Sequence, residues 1–158
     1  MTTLSPLQQK TLDKVSTWIQ EFFSHVPFET LDNEPGFGLF MGSAWVEVSV
    51  QPWKEDTVIN VSSNVVSGAT IDQELLQFLL HENNELVFGA FSMTPEGDIY
   101  FQHTIVGATC DPEELQASVN EVLEVADEYD DRIVAKWGGQ RALDKPCLLY
   151  TSPSPRDS

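Results

Sequence analysis

The stretch formed by residues 83–137 constrains the fold most strongly. It contains a nearly continuous apolar run at residues 85–93, a Pro-led turn at residues 94–97, a second strand-like segment at residues 98–106 and a long amphipathic segment at residues 111–137. An antiparallel strand with one face in water should alternate apolar and polar residues, and the first segment does not. We therefore expect a hairpin whose first strand is covered on both faces. One cover is the long helix, and the other is a second element, a second copy or a partner.

The long amphipathic segment is predicted to form one helix. Asp111, Pro112 and Glu114 match a capped helix start, and two glycines follow Trp137 where the helix should end. Nine carboxylates and no Lys or Arg occur from Asp111 to Asp131, so something other than intrinsic helix stability must maintain that face. The predicted buried stripe consists of Leu115, Val119, Val122, Leu123, Ala126, Tyr129, Ile133 and Trp137.

The N-terminal region predicts a second helix. Ser5, Pro6 and Gln8 match the cap, the first helical position and the third position of a capping box. Pro27 should end the helix, because the residue before a proline is pushed out of helical geometry. The apolar stripe expected to face the core consists of Leu12, Val15, Trp18, Ile19, Phe22 and Phe23.

A third helix is predicted over residues 70–81, with a capping box that starts at Thr70. It is apolar nearly all round, and a short surface helix of this kind is usually buried against a further surface. Two interpretations stay open: the helix plugs the end of the sheet, or it forms a homodimer interface. The candidate interface residues are Leu75, Leu76, Phe78 and Leu79.

Three more strands are predicted from two-residue periodicity at residues 37–41, 45–51 and 57–63. Gly42 and Ser43 match a two-residue hairpin turn between the first two of them. Together with the first hairpin, these segments predict an α+β fold with an antiparallel five-stranded sheet. The expected element order is α, β, β, β, α, β, β, α.

The charge of the chain excludes several classes of partner. The net charge is −17, which repels phosphate backbones and anionic membranes and leaves basic or apolar protein surfaces. Neither a membrane span nor a signal sequence is recognisable. Cys110 is the only cysteine before residue 147, so no disulfide is expected and a reducing, cytoplasmic location is predicted.

The C-terminal residues 147–158 back-translate to a sequence that resembles a sequencing adapter read through in frame. We interpret them as an artefact or a disordered tail, which contributes nothing to a core. The remaining residues 1–146 have the size of a single domain.

No catalytic constellation is recognisable in the sequence. His25, His81 and His103 do not cluster with other ligands at metal spacing, and no phosphate-binding loop precedes a helix. Cys110 precedes a helix start, where a thiolate could be stabilised, but an inert loop cysteine is the alternative. An acidic group on the long helix could share a cation or form a solvated face, namely Glu124, Asp127, Asp130 and Asp131. We expect no enzymatic activity, cofactor or metal.

The element order and three segments resemble the YbjN family. The segments are residues 82–91 (ENNELVFGAF), residues 97–105 (GDIYFQHTI) and residues 126–132 (ADEYDDR). That family is similar in fold to type III secretion chaperones of the CesT/Tir type. The resemblance implies an α+β, dimeric, peptide-binding chaperone-like domain, without naming the client.

Three functions remain open from the sequence. The first is a homodimeric chaperone-like or adaptor protein that binds a peptide or protein partner. The others are an acidic regulatory protein that docks on a basic protein surface, and a metal-dependent or thiol enzyme. If the sheet order follows the family, the strand that contains Trp45 lies beside the strand at residues 86–93, and Trp45, Phe88 and Trp53 would offer aromatic anchors to a peptide. Alternatively, the second helix along the chain or another protomer covers Trp45.

Overall fold

The computed structural model describes residues 4–144, which fold as three helices on an antiparallel sheet of six strands, with a short 3-10 turn at Ala142–Asp144. The tail at residues 147–158 lies outside the described residues. The elements are α1 (Pro6–Phe22), β1 (Phe28–Thr30), β2 (Gly36–Met41), β3 (Ala44–Trp53), β4 (Asp56–Val66), α2 (Gln73–Glu85), β5 (Ala90–Met93), β6 (Ile99–Val106) and α3 (Pro112–Trp137). The strands are arranged in the order β1-β2-β3-β4-β6-β5.

The α+β class is confirmed, and the predicted number of strands is wrong. The additional strand is β1, which pairs with β2 through three residues at one edge of the sheet. All three of its side chains are exposed. A strand this short, without a buried face, carries no two-residue hydrophobic signal.

The prediction that the apolar run at residues 85–93 forms one strand covered on both faces is wrong. Its first residue ends α2, and only Ala90–Met93 pairs with β6. Val87 is 82% exposed and Phe88 is also exposed. Gly89 adopts a φ of 75°, and a Cβ there would lie 2.7 Å from the Gln102 carbonyl oxygen. The glycine therefore redirects the chain between the helix and a short edge strand.

The predicted helix starts are confirmed for α1 and α3. Ser5 and Gln8 form a complete capping box, and Asp111 accepts a hydrogen bond from the Glu114 N–H. The start of α2 is two residues later than predicted, because Asp72 is its cap. The Asp72 carboxylate accepts from the Leu75 N–H at 2.8 Å and from Trp137 Nε1 at 3.1 Å, so one side chain caps α2 and joins it to α3.

The core lies between one face of the sheet and the helices. Val46, Val48 and Val50 are fully buried there, as predicted, and the whole predicted stripe of α3 is buried with them. The opposite side of β3 carries half-buried Trp45 and Glu47. No helix within residues 4–144 is long and apolar enough to cross a membrane.

Candidate functional site

A cleft of about 870 Å³ lies between the start of α1 and the segment that connects β1 to β2. Cavities of roughly 300–1,000 Å³ are the usual size for a binding site. Leu12 and Phe37 contribute apolar surface, and Thr30 and Gln51 contribute polar surface. The full lining is Leu4, Gln8, Leu12, Thr30, Leu31, Asp32, Asn33, Glu34, Pro35, Gly36, Phe37, Gln51 and Pro52.

The connection between β1 and β2 is held against the sheet at both of its ends. The Leu31 N–H donates to the Gly36 carbonyl at 3.0 Å, and the Val50 N–H donates to the Pro35 carbonyl at 2.9 Å. Gly36 allows this close approach, since a Cβ there would lie 2.2 Å from the Val48 carbonyl oxygen. The three residues between these anchors, Asp32, Asn33 and Glu34, form one wall of the cleft.

The β1 strand has an open edge beside this cleft. In an antiparallel pair, residues alternate between bonding to the partner strand and pointing away from it. Leu31 bonds to Gly36, and the register continues with Thr30 opposite Phe37 and Phe28 opposite Leu39. The backbone N–H and C=O groups of Thr30 and Phe28 therefore point away from β2, toward the open edge.

The cleft is electrostatically negative. Among the described residues, its lining contains Asp32 and Glu34 and no Lys, Arg or His. Burial, followed by the charge of Glu47, raises the pKa of Glu34, and a hydrogen bond from Gln51 opposes that rise. The Gln51 Nε2 donates to Glu34 Oε1 at 2.8 Å. The ion pairs found among the described residues all lie elsewhere, so no Lys or Arg within residues 4–144 forms an ion pair with the two lining carboxylates.

Trp45 lies on the sheet face opposite the helices. Its indole covers Gly38, where a Cβ would lie 2.1 Å from the ring. The Trp45 Nε1 donates to Glu47 Oε2 at 3.0 Å, and the ring centroid is 6.4 Å from that of Phe40. Trp53 is exposed next to Pro52 of the cleft, with Lys54 Nζ 5.0 Å from the centre of its ring.

Phe88 is not brought together with Trp45. Its ring lies 5.3 Å from the His103 ring, and the His103 Nδ1 is 2.9 Å from the Ser118 hydroxyl of α3. Phe88 therefore lies on the helix side of the sheet. The expectation that the strand of Trp45 neighbours the one preceded by Phe88 is wrong, because β4 and β6 separate β3 from β5.

The four α2 residues predicted as an interface have different environments. Leu75 and Leu79 are buried in the core of this chain, and Phe78 stacks at 5.4 Å from the Trp137 ring. Leu76 is exposed, as is Leu80 one turn further along. Only one side of α2 is therefore apolar and free within residues 4–144.

Residues 9–145 match the family model TY-Chap1, described as T3SS (YopN, CesT) and YbjN peptide-binding chaperone 1. The chain belongs to this family. The resemblance to YbjN and to the secretion chaperones is thereby confirmed.

Two solved structures align with this chain, and the first of them shows the same fold. A chain in the crystal structure of the ExsC–ExsE complex aligns with a TM-score of 0.60 and 18% identity, over 77% of this chain and 95% of that one. The crystal structure of YbjN from E. coli gives a TM-score of 0.47 and 13% identity, over 77% of this chain and 92% of that one. No curated protein sequence matches the chain.

The single cysteine of this TY-Chap1 domain is not an activated nucleophile. Cys110 is buried. Burial, and then the charge of Glu114, raise the pKa of its thiol to about 11, so it is protonated near neutral pH. The alternative of a thiolate stabilised at the start of α3 is wrong.

The acidic group on α3 is partly structural. Within residues 4–144, no three His, Cys, Asp or Glu side chains converge to hold a metal ion. Glu124 and Asp131 are exposed, as expected for a solvated face, but Asp130 is only 1% exposed. The Ser43 hydroxyl lies 2.5 Å from both Asp127 Oδ1 and Asp130 Oδ2, which joins the β2–β3 turn to α3.

Sequence analysis missed β1 and the cleft of this TY-Chap1 domain. The available signal was weak: Pro27 ends one segment, Asp32 and Asn33 favour a turn, and only a few residues remain between them. A strand of three exposed residues is recognised from its pairing with β2, which is a tertiary contact.

Proposed function

We propose that this protein is a non-enzymatic peptide-binding chaperone or adaptor that holds an extended client segment along β1. The observation that supports this proposal is the open edge of β1 beside the cleft. Membership of a family described as peptide-binding chaperones is consistent with it.

An extended segment would add a strand to the sheet at this edge. Its backbone would pair with the outward-facing N–H and C=O groups of Thr30 and Phe28, which gives affinity without sequence preference. Alternate side chains of a strand point to opposite faces, so every second client residue would face α1 and the cleft. The cleft then supplies the selectivity.

Substitution of Thr30 tests the pairing directly. Thr30→Pro removes an N–H that faces the open edge, and proline is tolerated in edge strands at such positions. Thr30→Ala is the matched control, because it changes the side chain and keeps the N–H. Peptides would be selected by the wild type from a library of random nine-residue peptides, and their affinities measured by fluorescence anisotropy.

We expect Thr30→Pro to weaken binding at least about tenfold, since the client loses a backbone hydrogen bond and cannot approach the ring closely. Thr30→Ala should stay within about twofold of the wild type. Equal binding by all three proteins, or selected peptides that protect another surface from hydrogen exchange, would contradict the proposal. Melting temperatures confirm that both variants are folded.

We also propose that the protein is a homodimer that associates through the exposed side of α2. Leu76 and Leu80 are one helical turn apart and both exposed, which supports a small apolar contact with a second copy. Leu75 and Leu79 belong to the core of one chain and do not take part. Light scattering at tens of micromolar measures the oligomeric state.

An acidic regulatory protein that docks on a basic surface is the alternative function. The exposed carboxylates of α3, such as Glu124 and Asp131, favour it. Salt separates the two functions, because screening weakens contacts between exposed charges while apolar contacts persist. A natural partner that is released from the protein by 0.5 M salt would favour the alternative.

A further inference from the structure

Acidic residues outside the lining of the cleft add to the negative charge at this end of the molecule. Glu29 lies opposite Gly38 in the register, and Gly38 lies opposite Glu47, so the two glutamates project from the same face of the sheet across β2. The charge of Glu47 reaches Glu34, where it raises the pKa. With Asp32, four carboxylates therefore surround one edge of the sheet.

The groups that contact these carboxylates differ from the groups that contact other acidic residues in the described part of the protein. Arg132, Lys136 and Arg141 form the ion pairs of the described residues, and all three lie in or just after α3. The donors to these carboxylates are neutral: Gln51 donates to Glu34 in the cleft, and Trp45 donates to Glu47 on the sheet face opposite the helices. A neutral donor satisfies one oxygen and leaves the charge uncompensated.

We propose that the cleft selects client segments in which a Lys or Arg stands close to an aliphatic residue. This inference rests on the proposed function, because it names the chemistry of the peptide that β1 would hold. The aliphatic side chain would contact Leu12, Leu31 and Phe37, and the cation would lie between Asp32 and Glu34.

A basic side chain fits this surface better than the alternatives. Lys and Arg have apolar stems that can lie along Leu31 while the charged end stays in water. A client carboxylate or phosphate at the same position would meet Asp32 and Glu34 and would be repelled. An entirely apolar segment would gain no electrostatic attraction from Asp32 and Glu34.

Neutralising the two lining carboxylates tests the inference. The double variant Asp32→Asn and Glu34→Gln keeps the shape of the cleft, and the new amide at position 34 can still pair with Gln51. The control Glu113→Gln and Glu124→Gln removes the same charge from exposed positions on α3. Each protein would select binders from the same library of random nine-residue peptides at low ionic strength, followed by sequencing.

We expect Lys and Arg to be enriched several-fold among peptides selected by the wild type and by the control, and not by the double variant. A selected Lys-containing peptide should bind the double variant about three- to tenfold more weakly, as for one or two partly exposed charge pairs. Selection without basic enrichment, or equal enrichment by the double variant, would overturn the inference.

The two proposals fail in different ways in these experiments. If Thr30→Pro abolishes binding but neutralisation of Asp32 and Glu34 changes neither affinity nor selection, the peptide-binding function stands and the basic preference is wrong. If Thr30→Pro has no effect, or no peptide binds at all, both proposals are wrong.

Discussion

The two ends of this molecule use the same kinds of residues in opposite ways. Where α2 meets α3, carboxylates accept hydrogen bonds from aromatic side chains: Asp72 from Trp137 at 3.1 Å and Glu82 from Tyr129 at 2.5 Å. The Phe78 ring packs between these aromatics, 6.2 Å from Tyr129. At the cleft, carboxylates have one neutral donor or none described, and apolar side chains line an open space.

This difference shows which exposed features the fold itself does not require. Acidic residues that form hydrogen bonds between elements stabilise the structure of one chain, because each accepts a hydrogen bond from a donor that burial would otherwise leave without a partner. Phe37 of the cleft belongs to the core, but the carboxylates of Asp32 and Glu34 beside the open strand edge form no ion pair within residues 4–144. In a peptide-binding family, those are the residues expected to meet the client.

The largest expected effect comes from charging the packed end. Leu79 is 6% exposed and Leu80 is 71% exposed, although they are neighbours in α2. Leu79→Asp places a carboxylate in the core and should reduce the free energy of unfolding by about 3–5 kcal/mol, as expected for a large cavity plus a buried charge. Urea unfolding followed by tryptophan fluorescence measures it.

Leu80→Asp is the matched control for Leu79→Asp. It should leave the free energy of unfolding within about 0.5 kcal/mol for a monomer, because the substitution lies at the surface. If α2 forms the proposed dimer, Leu80→Asp should give a folded monomer by light scattering while the wild type is dimeric. A wild type that is monomeric at tens of micromolar would contradict the dimer proposal. A destabilised Leu80→Asp monomer would contradict the exposed position of Leu80.

The contrast between the two ends also explains what the sequence could predict. The stripe of α3 and the valines of β3 were predicted because burial against one large partner leaves a clear period. The apolar run at residues 85–93 was wrongly predicted to be one strand, because hydrophobicity alone does not distinguish a helix end, an exposed connection and an edge strand. The cleft was not predicted, because it depends on how β1 and α1 meet in three dimensions.

A smaller effect is expected at the link between the β2–β3 turn and α3. Ser43→Ala removes the hydroxyl shared by Asp127 and Asp130, and Asp130 Oδ1 already lacks a hydrogen-bond partner among the described residues. An unsatisfied buried polar group costs about 1–3 kcal/mol, so we expect a loss of that size in urea unfolding. Ser62→Ala, on the opposite face of the sheet, should change stability by less than about 0.5 kcal/mol. Equal losses in both variants would show that the link is unimportant.

The smallest expected effect is a pH dependence that originates at Asp130. The Ser43 hydroxyl has a single hydrogen and lies 2.5 Å from oxygens of both Asp127 and Asp130, so it can donate fully to only one of the two carboxylates. Of the two carboxyl groups, Asp130 is the one whose pKa is raised, mainly by burial and then by the charges of Asp131 and Asp127, against the hydrogen bond from Ser43. Hydrogen bonds from Ser43 lower the pKa of Asp127, which therefore stays ionised.

A group whose pKa is raised on folding contributes its full stabilisation of the folded state below its ordinary pKa, which is 3.8 for Asp130. This stabilisation is lost as the pH rises through the pKa that the group has in the folded state. Asp130→Asn cannot ionise, and its amide can donate to Ser43 at every pH. The melting temperature of the wild type relative to Asp130→Asn should therefore fall as the pH rises above 3.8, by no more than a few degrees for a domain of this size. General charge repulsion affects both proteins alike and cancels in the difference. A difference that is constant with pH, or that grows in favour of the wild type as the pH rises, would contradict a raised pKa at Asp130.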